Sequence, residues 1–171
     1  TASYAQEHAG DYATVPLTAD LSAFDDKGKR MIALLVQAAQ VMDDLYWRQS
    51  WPDKAALLAK APDDATRTLI DLNFGPWDRL NEDTPLLPGI GPRPPGAQFY
   101  PQDMTKAEFE QAPLPDKTSG YTLLRRDDSG KLVTVPYHVE YKADLERAAG
   151  LLREAAKASA DPSFAQYLRM R

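Results

Sequence analysis

The chain has 171 residues, no cysteine and a net charge of -5, with hydrophobic and charged fractions of 43% and 26% that are typical of a globular protein. The negative charge argues against a general nucleic-acid binder, and no apolar run approaches the roughly 20 residues that a membrane span needs. Without cysteine there is neither a disulfide framework nor a thiolate metal site, which suits an exported protein as well as a cytosolic one.

The first part of the chain is predicted to be an arm followed by a long helix. Residues 1–17 show little periodicity, and we expect residues 18–171 to form a single, mainly helical domain. Ser22 is the predicted N-cap of a helix of about seven turns that runs to Ser50. Apolar residues cover most of the circumference of this helix, which predicts a long central helix in the core.

Two shorter helices complete a helical region over residues 18–73. Pro52 is tolerated in a first turn and is predicted to open one of them, while Pro62 or Asp63 opens the next. Gly75 is well placed to end that helix in a left-handed conformation.

Residues 74–104 form a segment rich in proline and glycine. Seven of the fourteen prolines lie in its first 28 residues, together with Trp77, Phe99 and Tyr100. Prolines lower the entropy of the unfolded chain, glycines permit sharp reversals, and buried aromatic side chains can hold a long irregular path in place. We therefore predict an ordered wrap rather than a flexible linker.

Residues 105–171 are predicted to hold a short helix, one hairpin and two further helices. Thr105 and Glu108 match a capping box. YTLLRR and KLVTVPY, separated by DDSG, predict a β-hairpin, and an amphipathic helix of roughly Val139–Ser159 follows. Asp161 caps a last helix that has no stop signal. This helix is either a true terminal helix or one interrupted inside a longer protein. The predicted fold is thus mainly α, with about six helices, one small hairpin and the wrap.

The spacing of the polar residues gives little support for a catalytic or metal site in this chain. The two histidines, His8 and His138, do not fit His-Glu-x-x-His, and no G-x-S-x-G or phosphate-binding loop occurs. Asp78, Glu82 and Asp83 cluster near Arg79, but carboxylates in a loop are usually solvated or ion-paired. We therefore predict no catalytic residue and no metal ligand in this chain.

Two stretches of the sequence, FGPWDRL and PGIGPRPPGAQFYPQDMTKAEFE, resemble the N-terminal region of bacterial members of the dipeptidyl peptidase III family and related zinc-dependent hydrolases. MDDLYWRQSW before them and YTLLRRDDSGKLVTVPYHVEYKADLERAAGLLREAA after them fit the same family in the same order. The resemblance covers about Val15 to Arg171.

The resemblance implies a two-lobed zinc metallopeptidase that removes dipeptides from peptide N-termini. The family's zinc ligands lie downstream of the matched region, so no metal or catalytic residue carries over, and zinc is expected only in the full-length protein. The implied partners are the remainder of the same polypeptide and, in the full enzyme, a peptide substrate. Some relatives join this region to a Nudix domain, but no Nudix box is present here.

Five residues are predicted to face the cleft or to contact the other lobe because aromatic residues and arginines dominate recognition surfaces. They are Trp77, Asp78, Arg79, Arg93 and Tyr100. Alternatively, the aromatic residues anchor the wrap and the charged residues form ion pairs within it. For the whole chain, two main readings stay open: a portion of a zinc exopeptidase that is inactive by itself, or an independent helical binding module. A complete enzyme of 171 residues is poorly supported.

Overall fold

The computed structural model describes residues 3–171 and is mainly α-helical. Thr1 and Ala2, the first residues of the predicted arm, lie outside the described residues. The α-helices are α1 (Tyr4–His8), α2 (Asp26–Ser50), α3 (Lys54–Ala59), α4 (Asp64–Asn73), α5 (Lys106–Gln111), α6 (Tyr137–Glu140), α7 (Lys142–Ala158) and α8 (Pro162–Met170). The strands are β1 (Trp77–Asp78), β2 (Thr84–Pro85), β3 (Thr122–Arg126) and β4 (Leu132–Pro136). The predicted fold class is confirmed, with eight α-helices in residues 3–171 rather than about six.

The chain folds into two compact units. Unit 1 contains the described residues up to Val15 together with Tyr46–Pro136, and unit 2 contains Pro16–Leu45 together with Tyr137–Arg171. Helix α2 therefore contributes to both units. The predicted boundary between an arm and a single domain at residue 17 stays a prediction, but residues 4–11 are helical rather than irregular.

Unit 1 is built on the apolar face of α4. Leu69 and Ile70 are buried with Trp47, Leu57 and the adjacent pair Leu86 and Leu87, and Ala5 of α1 joins the same cluster. Two leucines of the proline-rich segment thus belong to the core, which explains how an irregular path stays ordered.

Two hydrogen bonds close the proline-rich segment on itself. The Leu86 amide donates to the Pro76 carbonyl at 2.8 Å, and the Trp77 indole donates to the Gly91 carbonyl at 2.9 Å. The predicted ordered wrap is confirmed, although the Leu80 side chain within it is 61% exposed. Leu80 lies in the turn between β1 and β2, which keeps its side chain away from the cluster.

Three predicted helix starts are confirmed by their hydrogen bonds. Asp63 accepts from the Thr66 amide, Thr105 accepts from the Glu108 amide, and Asp161 accepts from two amides at the start of α8. Each of these caps depends on residues only two or three positions apart, so the local sequence suffices to predict it.

Three other predicted helix boundaries are wrong. Asp25, rather than Ser22, accepts the Gly28 amide at the start of α2, and Asp53, rather than Pro52, caps α3. The left-handed residue after α4 is Phe74, with a φ of 54°, rather than Gly75. The Phe74 ring packs against the apolar cluster of unit 1, and this burial offsets the backbone strain.

The predicted hairpin is confirmed as antiparallel strands β3 and β4, paired from Thr122↔Pro136 to Arg126↔Leu132. Arg126 ties it to α5, because its guanidinium donates to both carboxylate oxygens of Glu108, at 2.8 and 3.0 Å, and to Asp103 at 2.8 Å. The hairpin therefore packs on a helix, as a two-stranded ribbon must to be stable in water.

Unit 2 contains an alanine-rich helix pair. Ala155 and Ala156 of α7 pack on Ala165 and Leu168 of α8, and apolar residues of α2 such as Leu35 flank them. The predicted single helix over Val139–Ser159 is divided into α6 and α7. In α2, Val36 and Met42 are 53% and 42% exposed, so the apolar stripe is buried on fewer sides than predicted. None of the helices in residues 3–171 is long and apolar enough to cross a membrane.

Candidate functional site

Asp78 lies at the centre of a buried polar network in unit 1. Its side chain is fully buried, and one carboxylate oxygen accepts from the Tyr4 hydroxyl at 3.0 Å and the Asn81 amide at 2.9 Å. The other oxygen accepts from the Leu80 backbone amide at 3.1 Å and lies 3.0 Å from the Tyr12 hydroxyl. Asp78 therefore links residues 4–12 to the turn between β1 and β2.

The network keeps Asp78 ionised despite its burial. Burial by itself raises the pKa of a carboxyl group, but hydrogen bonds from Asn81, Tyr12, Tyr4 and the Leu80 amide outweigh it and lower the pKa of Asp78 below its ordinary value. The pKa values of Tyr4 and Tyr12 are raised, first by burial and then by effects that include their hydrogen bonds to Asp78. At neutral pH, Asp78 is therefore ionised, and Tyr4 and Tyr12 keep their hydroxyl hydrogens as donors.

Asn73 extends the network to the end of α4. Its side-chain oxygen accepts from the Arg79 amide at 3.0 Å, and its side-chain nitrogen donates to the Leu69 carbonyl at 2.9 Å. Tyr4, Tyr12, Asn73 and Asn81 are not among the residues that the sequence predicts for a site. Their partners lie up to 74 positions away along the chain, so no local pattern marks them.

Trp77, Arg79 and Arg93 line one small pocket of about 10 Å³ with Ser50 and the end of α4. Arg79 is exposed and donates to the Tyr46 hydroxyl at 3.0 Å, whereas Arg93 pairs with Asp83 at 3.2 Å. The structure thus brings together three of the five predicted site residues. No local sequence pattern marks Ser50 as a residue of this pocket or Tyr46 as the partner of Arg79.

Tyr100 lies at a different part of the proline-rich segment. It lines a groove of about 550 Å³ with Phe109, Met104 and several prolines, and its ring makes an edge contact with Phe109 at 6.0 Å between centroids. The ring also covers Gly96, where a Cβ atom would lie 2.3 Å from the nearest ring carbon. A glycine is therefore required at position 96.

A third pocket of about 370 Å³ adjoins the other two. Trp51 and Trp77 line it together with Pro92, Pro94 and Gln102. Trp77 is shared with the arginine pocket, and Pro94 and Gln102 are shared with the Tyr100 groove. The predicted site residues other than Asp78 therefore follow one series of pockets along the proline-rich segment.

The resemblance places zinc in the full-length protein and not in this chain, and the described residues agree with the sequence in offering no obvious ligand set. His8 lies in α1, with its Nδ1 atom 2.8 Å from a carboxylate oxygen of Asp11, whereas His138 lies in α6. In residues 3–171, no group of three or more histidine, aspartate and glutamate side chains is arranged to hold a metal ion.

Two solved bacterial structures match the chain over nearly its whole length. Dipeptidyl peptidase III from Caldithrix abyssi is 36% identical with a TM-score of 0.85, and the match covers 96% of this chain and 33% of that one. The enzyme from Corallococcus sp. strain EGB is 34% identical with a TM-score of 0.87, covering 98% and 34%. The chain is a dipeptidyl peptidase III-like region. The resemblance predicted from the sequence is confirmed.

More distant similarity links this dipeptidyl peptidase III-like region to a plant protein. It is 24% identical to Nudix hydrolase 3 of Arabidopsis thaliana, over 95% of this chain and 29% of that protein. No family model matches the region. The chain spans about a third of the length of each of these proteins.

Proposed function

We propose that this chain forms the N-terminal part of one lobe of a dipeptidyl peptidase III-like zinc metallopeptidase and builds one wall of its peptide cleft. In this role it positions peptide and lobe, and it has no peptidase activity by itself. The observation that carries the proposal is the contrast in coverage: 96–98% of this chain matches a third of each bacterial enzyme, with TM-scores of 0.85–0.87.

The chemistry of the whole enzyme would come from residues outside this chain. Zinc would polarise the scissile carbonyl, and residues of this chain would contribute binding and orientation.

A chimaera tests this function. The matched third of the Caldithrix abyssi enzyme is replaced by this chain, and dipeptide release from a chromogenic peptide is measured beside zinc content. We expect a zinc-loaded, active chimaera, an inactive control in which the matched third is deleted, and no dipeptide release or stoichiometric zinc with the isolated chain. A folded, zinc-loaded chimaera without activity would contradict the proposal.

A second candidate is an independent helical binding module without catalysis. One observation favours it: no buried side-chain nitrogen or oxygen in residues 3–171 lacks a hydrogen-bond partner, as in a self-sufficient fold. This candidate predicts a stable monomer without exposed sticky surface, and an inactive chimaera. Sedimentation of the isolated chain and binding of an apolar dye separate it from the first.

A further inference from the structure

Arg79 carries a charge that no carboxylate of the described chain neutralises. Its guanidinium has five N–H donors, and its one side-chain hydrogen bond in residues 3–171 goes to the neutral Tyr46 hydroxyl at 3.0 Å. No salt bridge within 4.0 Å involves Arg79 in this part of the chain, and Asp78 next to it is turned into the buried network. The guanidinium is therefore available to an anion.

Arg93 lines the same pocket and increases its positive charge. Arg93 is paired with Asp83, but the pair is partly exposed, with 34% and 40% of the two side chains accessible. Such exposed pairs contribute little and exchange partners at low cost. With two guanidiniums and one carboxylate, the pocket and its rim carry a net charge of +1.

The size of the pocket restricts the anion. A volume of about 10 Å³ is close to the roughly 10–15 Å³ that one water-sized group occupies. One oxygen of a planar carboxylate fits this space while the other remains at the mouth. Arginine also binds carboxylates with two parallel hydrogen bonds, which matches a planar ligand.

The adjoining pocket supplies an apolar neighbour for that carboxylate. Trp77 lines both pockets, and Trp51, whose ring meets it edge-on at 5.5 Å between centroids, lines the larger one with Pro92 and Pro94. A volume of about 370 Å³ falls in the range of small-molecule sites, roughly 300–1,000 Å³. The ligand should therefore carry an apolar group close to its charge.

We propose that Arg79 and Arg93 bind the C-terminal carboxylate of a peptide whose last side chain is apolar and lies against Trp51 and Trp77. In a C-terminal leucine, the carboxylate and the side chain leave the same carbon atom, as the two adjoining pockets require. An aspartate side chain places its carboxylate beside a polar backbone instead. This inference goes beyond the proposed function, because it needs only this chain and no catalysis.

The binding test uses the fluorescence of the chain's three tryptophans, two of which line the apolar pocket. N-acetyl-leucine is titrated into the full chain beside N-acetyl-leucinamide, which lacks the charge, and acetate, which lacks the side chain. N-acetyl-aspartate α-amide carries only a side-chain carboxylate. We expect saturable binding of N-acetyl-leucine at least about tenfold tighter than that of the other three ligands.

Variants assign the binding to the two arginines. Arg79→Gln and Arg93→Gln should each lower the affinity for N-acetyl-leucine about tenfold or more. Arg79→Lys keeps the charge but loses the forked guanidinium, so its affinity should lie between those of the wild type and Arg79→Gln. Arg67→Gln is the matched control, because Arg67 is an exposed arginine of α4 outside the pockets. Circular dichroism checks that each variant is folded.

Four results overturn the proposal. They are equal affinity for the acid and its amide, equal affinity for the aspartate α-amide, unchanged affinity in folded Arg79→Gln and Arg79→Lys, or no saturable signal with the folded chain. Failure here leaves the chimaera experiment unaffected, since that one measures dipeptide release.

Discussion

Tyr4 donates its hydroxyl hydrogen to the carboxylate of Asp78 at 3.0 Å, across 74 positions of the chain. Tyr12 reaches the other oxygen of the same carboxylate. Ala5, Tyr4 and Tyr12 also pack on the apolar cluster, so both apolar contacts and this network hold residues 3–12 to the rest of unit 1. The buried carboxylate is thus a tether for the first described segment of the chain.

Tyr4→Phe should destabilise unit 1, because it removes a donor from a buried charge while keeping the ring. We expect a loss of about 1–3 kcal/mol in the free energy of unfolding. Urea unfolding followed by tryptophan fluorescence measures it, since Trp47, Trp51 and Trp77 all lie in unit 1. The control is Tyr100→Phe, whose hydroxyl makes no hydrogen bond within residues 3–171. Equal stability of the two variants would disprove the tether.

Acid should weaken the same unit through Asp78. Its pKa is lowered in the folded state, so the unfolded chain binds a proton more readily than the folded chain does. The stabilisation is present above the unfolded pKa of about 4 and is lost as the pH falls through the folded pKa.

Other carboxyl groups of unit 1, such as Asp63 and Glu108, also have lowered pKa values, so acid unfolding alone does not identify Asp78. The comparison is between the wild type and Asp78→Asn, which cannot titrate at this position. The variant should be less stable at pH 7 but should lose less stability between pH 5 and pH 3. Parallel pH profiles of the two proteins would contradict the assignment.

The sequence predicts the elements that depend on near neighbours. The caps at Asp63, Thr105 and Asp161 and the β3–β4 hairpin follow from residues a few positions apart. The tether at Asp78 does not, because Tyr4 and Tyr12 come close to it only after α4 and the proline-rich segment have folded. The same reason explains Phe74: glycine is the local preference for a left-handed residue, but burial of an aromatic ring overrides it. For the predicted site residues, the sequence indicates suitable residue types but not the direction of their side chains. Only the fold shows that the Asp78 side chain points inward.

Glu82→Gly should stabilise unit 1 by relieving backbone strain. Glu82 and Asp83 both have positive φ, 54° and 57°, in the turn between β1 and β2, where glycine or asparagine is usual. A left-handed residue costs about 1–2 kcal/mol, and the added flexibility of glycine in the unfolded chain offsets part of the gain. We therefore expect an increase of about 0.5–1 kcal/mol, read from the urea midpoint.

A matched substitution separates strain relief from the general effect of glycine. Asp128 lies in the β3–β4 turn, is exposed, and does not have positive φ. Asp128→Gly should leave stability unchanged or lower it slightly. A gain at Asp128 as large as that at Glu82 would show that strain is not the cause.

Arg126→Lys should loosen the hairpin from α5 although it preserves the charge. Lysine cannot reproduce the two parallel bonds to Glu108 or reach Asp103 and the Gly130 carbonyl together. Hydrogen bonding to Arg126 is the main reason that the pKa of Glu108 is lowered. The substitution should therefore raise the pKa of Glu108. A network of several charges with bidentate geometry is the case in which a solvent-accessible ion pair contributes to stability, and we therefore expect the free energy of unfolding to fall. Arg67→Lys is the control, because Arg67 approaches Asp64 only to 4.0 Å at an exposed site.

Hydrogen exchange measures the loosening of the hairpin. In Arg126→Lys, exchange should become faster in β3, β4 and α5 while α4 keeps its protection. Uniform acceleration across unit 1 would instead indicate global destabilisation.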